Sequence, residues 1–373
     1  MVDLKSQYQK IKPDIDKGIQ EVLDSAAFIA GKPIQDFASE LATYSGAKHV
    51  IPCANGTDAL QIAMMALNIQ PGDEVITPSF TYFATVEVIA LLKAVPVFVD
   101  VDRDTFTLNV EQIEKAISPK TKVIVPVHLY GQAANMEAIL ALATKHNIPV
   151  VEDNAQAIGG DYTFSNGEKK KTGTMSLIST TSFFPSKNLG CYGDGGAMFT
   201  NDDELAVKLK MVANHGQRVK YYHDLVGCNS RLDTLQAAIL RVKLKHLDEY
   251  CDARRAVADY YDKAFAGHAK LTTPFRASYS KHVYHQYTLI LSDDVNREAM
   301  INALKEKGIP TMLYYPLACH KQKAFEQGAR IVGDLKNTEW LSPRVISLPI
   351  HTEMDEEQLK FISEAVIEFL KSE

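Results

Sequence analysis

Over residues 48–200 short Val- and Ile-rich runs alternate with longer segments of helical period, and this alternation restricts the fold more than any other feature of the chain. The runs are HVIPC (49–53), EVITP (74–78), VPVFVDV (95–101), KVIVPVHL (122–129), IPVVED (148–153), LISTTSF (177–183) and GAMFTN (196–201). Near-continuous apolar runs belong to strands buried on both faces, and segments such as MEAILALATKH (136–146) supply the crossovers. The pattern predicts an α/β fold with a mainly parallel seven-stranded sheet flanked by helices. Beyond it, residues 231–265 read as long helices joining two lobes, with Leu232, Leu235, Ile239, Val242 and Leu247 on or near one face. The stretches 282–292, 296–308, 309–317 and 355–371 then form a smaller C-terminal α+β domain. The expected boundary divides a large domain, 1–245 with its N-terminal helix, from a small one, 246–373. A chain of 373 residues exceeds the ~250–300 at which single cores stop growing.

Charge and cysteine content narrow the function classes. With 46 acidic against 40 basic residues, a formal charge of −6, the chain suits neither a nucleic-acid partner nor a membrane surface. No apolar run reaches the ~18 residues of a membrane span, and the N-terminus lacks the apolar core of a signal peptide. Five cysteines without CxxC spacing read as reduced thiols, so the expected location is cytoplasmic.

Chemistry concentrates around Lys187, in TTSFFPSKNLGCYGDGG. Apolar neighbours depress a lysine pKa and free its amine to attack an aldehyde, which suggests a Schiff-base lysine; the alternative is a lysine exposed in a glycine-rich loop. In open α/β sheets ligands gather at the carboxyl ends of strands. After HVIPC comes Asn55-Gly56-Thr57-Asp58 and a helix, either a phosphate cup or an ordinary N-cap. After EVITP, Phe80, Tyr82 or Phe83 can stack on a flat ring or fill a core. After IPVVE, Asp153 can hold a pyridine nitrogen protonated, with Gln156 three residues on to reach a phenolic oxygen; an N-cap or metal-ligand role is the alternative, and the metal reading finds no His or acidic partner at ligand spacing. Together, Thr57, Tyr82, Asp153 and Lys187 describe one ligand, pyridoxal 5′-phosphate.

NGTDAL (55–60), PSFTYFAT (78–85), EDNAQAIG (152–159), SFFPSKNLGCYGDGG (182–196) and GCNSRLDTLQAAIL (227–240) resemble the sugar aminotransferases of the DegT/DnrJ/EryC1/StrS family, fold type I pyridoxal-phosphate enzymes. Within it the chain is most similar to enzymes that aminate UDP-2-acetamido-2-deoxy-3-oxo-glucuronate for surface polysaccharides such as lipopolysaccharide. The resemblance implies that Lys187 is the cofactor-bearing lysine and proton shuttle, Asp153 the partner of the pyridine nitrogen and Gln156 a contact to the ring hydroxyl. It implies phosphate ligands at Gly56, Thr57 and Ser182, with Tyr82 stacked on the ring. Asn229 then reaches the neighbouring subunit's phosphate, so a homodimer with shared sites is expected. Glutamate is the expected donor, pyridoxamine 5′-phosphate the form of the cofactor that carries the amino group, and a nucleotide-linked keto sugar the acceptor. Arg231 has the chemistry to grip a carboxylate, and Tyr314, Tyr315 and His320 are the expected substrate-side residues, although Tyr314-Tyr315-Pro316 stands where relatives commonly have His-Tyr-Pro. His128 and His285 are further candidates for the pocket wall, with a structural hydrogen-bonding role as the alternative. Amination of a 4-keto-6-deoxy nucleotide sugar is the runner-up activity, and a catalytically silent cofactor-binding regulator the reading from another class.

Overall fold

The structure, a computed structural model, describes residues 1–372. Helices α1 (Leu4–Ser25) and α2 (Lys32–Ser45) lead into the sheet. Its strands are β1 (His49–Cys53), β2 (Glu74–Pro78), β3 (Val95–Val99), β4 (Thr121–Ile124) and β5 (Val151–Asp153), separated by α3 (Gly56–Ala66), α4 (Ala84–Leu91), α5 (Val110–Ala116) and α6 (Met136–His146). A hairpin of β6 (Asp161–Thr163) and β7 (Lys169–Lys171) precedes β8 (Ile178–Ser182) and β9 (Gly196–Thr200). Two parallel bridges, Ile124 to Val150 and Val127 to Asp153, join the two halves into one sheet of order β1-β9-β8-β5-β4-β2-β3. These are the seven runs expected from sequence, and β9 alone runs antiparallel to its neighbours.

The helices form where apolar spacing and caps coincide. In α3, Leu60, Ala63 and Met64 are buried against the sheet, and the Asn55 side chain caps the first turn by accepting from the Asp58 N–H at 2.8 Å. Phe37 of α2 meets Phe183 edge-on, with ring centroids 5.4 Å apart, behind the lysine loop. Both rings are fully buried, which stabilises the fold by about 1.5–3 kcal/mol apiece.

After α7 (Asp203–Ala213) a two-stranded ribbon, β10 (Gln217–Val219) and β11 (Tyr222–His223), projects outward, and α8 (Thr234–Leu244) and α9 (Leu247–Ala264) follow. A second core contains Tyr261, Tyr287, Leu289, Leu348 and Val366. It is built from α9, β12 (Leu271–Thr272), β14 (Tyr287–Leu291), α10 (Arg297–Glu306), β16 (Val345–Leu348) and α12 (Glu356–Ser372), while β13 (Ser280–Lys281) pairs with β6.

The lobes interleave more than one cut at 245/246 expects. Helix α9 gives Leu247 and Cys251 to the core behind the lysine loop and Val257 to the second core. Strand β15 (Arg330–Ile331), ahead of α11 (Lys336–Leu341), pairs parallel with β3, so this part of the C-terminal sequence extends the large sheet. Cys319 and Phe325 pack there against Val86 and Phe98. Among the described residues no helix is long and apolar enough to cross a membrane.

Candidate active site

The turn after β1 is shaped for an anion. Gly56 and Thr57 open α3, where helix geometry provides no carbonyl for the first N–H groups, and the dipole adds positive potential. A Cβ on Gly56 would lie 2.7 Å from the Ser182 Cβ, so only glycine lets the helix start press against the end of β8. That contact brings the Ser182 hydroxyl beside the free N–H groups. The turn is held from behind by Ser230, whose Oγ accepts from the Ala54 N–H at 3.0 Å.

Lys187 follows β8 in a loop closed by bonds from the Phe183 N–H to Gly195 O (2.7 Å) and from the Cys191 N–H to Phe183 O (2.8 Å). At Gly190 a Cβ would stand 2.4 Å from Pro185 O, which demands glycine. Buried Lys243 of α8 donates to Gly190 O at 2.8 Å, and Asn188 donates to Val283 O at 3.0 Å. The loop is thus fastened on two sides, to α8 and to the segment at Val283. The Lys187 amine makes no hydrogen bond or salt bridge among the described residues, and burial lowers its pKa to about 8, against a smaller opposing pull from Asp153.

Asp153 ends β5 with its carboxylate fixed by two donors, the Thr85 hydroxyl at 2.8 Å and the Ala155 N–H at 3.1 Å. Gln156 is oriented as firmly. Its carbonyl oxygen accepts from the Tyr130 N–H at 2.7 Å, so its amide nitrogen faces the Tyr315 hydroxyl, to which it donates at 3.0 Å. Tyr130 holds this position at φ 58°, a left-handed conformation costly for a bulky residue. Tyr82 is 58 % exposed, with its ring centroid 6.1 Å from that of Tyr315. Tyr315 therefore joins Gln156 and Tyr82 at one wall, and Tyr314 is tied to the same wall through its carbonyl, which accepts from the Tyr130 hydroxyl.

Three histidines remain to be placed. His320 has both ring nitrogens engaged: Nδ1 accepts from the Ser79 hydroxyl at 2.7 Å, and Nε2 faces Glu339 at 3.3 Å. Its side chain thus clamps the segment after Pro316 to the end of β2. His128 is fully buried, donating from Nε2 to Glu152 at 2.9 Å and accepting at Nδ1 from the Ala134 N–H at 3.0 Å. It is an internal brace rather than pocket wall. His285 is buried with Nδ1 unpartnered, and burial, then the charges of Lys187 and Arg254, push its pKa well below the ordinary value.

Asn229 and Arg231 flank buried Ser230 yet are themselves exposed, and Arg231 lines a surface groove with Ile34, Val50, Pro52 and Lys210. They sit beside the anion turn and face outward. Sequence reasoning missed Thr85 and Tyr130, the residues that orient Asp153 and Gln156. Thr85 lay within PSFTYFAT, three residues past Tyr82, and that spacing on a first helical turn was the available signal.

An unpartnered low-pKa amine, an anion turn with a serine beside it, a fixed carboxylate and an oriented amide match the aldehyde, phosphate, ring nitrogen and ring hydroxyl of pyridoxal phosphate in kind. The fold and this donor set define a pyridoxal-phosphate-dependent enzyme of fold type I. More narrowly, the chain belongs to the DegT/DnrJ/EryC1/StrS aminotransferase family, whose sequence model matches residues 9–367. It is 48% identical, over 98% of both chains, to the UDP-2-acetamido-2-deoxy-3-oxo-D-glucuronate aminotransferase of Pseudomonas aeruginosa. It is also 46% identical to a pleiotropic regulatory protein of Geobacillus stearothermophilus, over 100% of this chain and 98% of that one. Among solved structures, S. venezuelae DesV in complex with a ketimine intermediate matches with a TM-score of 0.94 at 39% identity, covering 99% of this chain and 98% of the other.

Proposed function

We propose that the chain transfers the amino group of L-glutamate to a UDP-linked 3-keto sugar, UDP-2-acetamido-2-deoxy-3-oxo-glucuronate, in the cytoplasm, for surface-polysaccharide synthesis. The observation that carries the sugar is the 48% identity along nearly the whole length of the P. aeruginosa enzyme. Five free cysteines, four of them buried, support a reducing compartment.

The bound cofactor supplies an electron sink that stabilises negative charge on the donor's Cα. Gly56, Thr57 and Ser182 hold its phosphate, and Tyr82 covers the ring. Asp153 accepts a hydrogen bond from the ring nitrogen, and Gln156 donates to the ring hydroxyl. Lys187 Nζ takes the proton from the donor's Cα in the first half-reaction and returns one to the sugar carbon in the second. A pKa of about 8 suits both duties near neutral pH, and such proton transfer contributes ~10²–10⁴-fold.

Two copies share their sites in this reading. Tyr221 at the ribbon tip and Val226 just past it, 78 % and 86 % accessible, support an apolar contact with a partner. Asn229 then reaches the phosphate held by that partner, and Arg231 grips the carboxylate that glutamate and a hexuronate both carry.

The test is glutamate-dependent amination across a panel of UDP- and dTDP-linked keto sugars. Preference for the UDP-linked 3-keto hexuronate supports the proposal. Preference for a 4-keto-6-deoxy sugar would replace that substrate, and no turnover on any sugar would favour a cofactor-binding regulator.

A further inference from the structure

Thr85 has no part in the roles given so far, yet it makes a short buried bond to the acid of the site. It lies on the first turn of α4 and is 1 % exposed; Asp153 is 5 % exposed and Thr81 2 %. The Thr85 hydroxyl reaches Asp153 Oδ2 at 2.8 Å, and the Thr81 hydroxyl lies 3.3 Å from that of Thr85. An ionised carboxylate only accepts, so the single Thr85 proton goes to Asp153, leaving its lone pair for Thr81. The protons thus run in one direction, from Thr81 to Thr85 to Asp153.

The geometry matters because an aspartate carboxylate turns easily about its last torsion, where the rotamer wells are broad. The Ala155 N–H holds Oδ1 and Thr85 holds Oδ2, which fixes the plane of the group and leaves each oxygen a free lone pair. The segment 81–85 leaves Tyr82 exposed at the surface and buries Thr81 and Thr85, the latter against the acid. One short segment therefore sets both the covering ring and the plane of the carboxylate.

We propose that Thr85 is a positioning residue for pyridoxal-phosphate chemistry: it locks the Asp153 carboxylate in the plane that keeps the pyridine nitrogen of the cofactor protonated. This rests on the reading of Asp153 as the partner of that nitrogen. Thr85→Val keeps the shape and removes the hydroxyl, whereas Thr85→Ser keeps the hydroxyl and loses a methyl.

The test loads the dimeric holoenzyme with ¹⁵N-labelled pyridoxal phosphate and reads the ring-nitrogen chemical shift beside kcat. Thr85→Val is expected to move the shift toward the unprotonated value and lower kcat about tenfold, the weight of one hydrogen bond to a charged group. Thr85→Ser is expected to restore both. A wild-type shift in Thr85→Val overturns the proposal, as does a shift that Thr85→Ser fails to restore. Asp153→Asn separates this from failure of the underlying reading: if it too leaves the shift unmoved, Asp153 is not the partner of the nitrogen.

Discussion

The two sides of Lys187 are built differently. On the inner side, Asp153, Gln156 and the α3 turn are held by bonds within the chain, and nearly every orienting group is buried. On the outer side, Tyr82, Asn229, Arg231 and the β10–β11 ribbon are exposed, and Asn229 and Arg231 make no side-chain bond among the described residues. The inner wall is organised before any ligand arrives, as cofactor chemistry requires, because reorganisation during the reaction raises the barrier. The outer wall is the side at which the proposed second copy and substrate would complete the site.

The contrast is most easily broken at its centre. Lys187→Ala is expected to abolish transamination, a loss of at least about 10²–10⁴-fold, with the fold intact by circular dichroism. Retained turnover would show that another group moves the proton.

The next effect concerns the outer wall. On the role proposed for Arg231, Arg231→Ala would remove a paired contact to a carboxylate worth about 2–3 kcal/mol, so KM for glutamate or the sugar should rise roughly 30–150-fold while kcat changes little. If Arg231 serves the partner's site, Lys187→Ala and Arg231→Ala chains coexpressed and assayed well below the wild-type KM should recover roughly a quarter of wild-type activity, since half of random dimers are hybrid and carry one intact site of two. Absence of recovery would place Arg231 in its own subunit's site and undo the division drawn here.

A smaller effect distinguishes clamp from contact at His320. His320→Gln should lower stability by about 1–2 kcal/mol in denaturant titration, with KM for the sugar within a few-fold of wild type. A large KM rise at unchanged stability would return His320 to the substrate wall.

A separate effect is the pH dependence of stability without cofactor. With the Lys187 pKa lowered from 10.5 to about 8, the folded chain bears the full cost of the buried charge below pH 8. Between about 8 and 10.5 the unfolded chain binds more protons, so stability should rise with pH and the cost should vanish above that window. The denaturant midpoint should climb less over this range in Lys187→Met. Equal slopes would mean that the amine is solvated.

What was legible in the sequence followed the same division. All seven strand runs were readable as short stretches of apolar and β-branched residues, and burial on both faces accounts for the near-continuous apolar ones such as β2. The positions of Lys187, Asp153 and Gln156 were readable because each lies just past a strand end, where such sheets place ligands. The bonds that orient them were not, since Thr85 to Asp153 and Tyr130 to Gln156 span 68 and 26 residues and leave no periodic trace. The bond of His320 was hidden for the same reason: its partner Ser79 is 241 residues away, and local sequence shows only a histidine near a Tyr-Tyr-Pro.

The most direct test of the central claim is to reduce the cofactor-loaded protein with borohydride and map the modified peptide. The structure predicts a pyridoxyl group on Lys187, within the tryptic peptide that spans it. Modification of Lys243, the buried lysine of α8 that braces the loop and whose pKa is also lowered, or of no lysine at all, would contradict it.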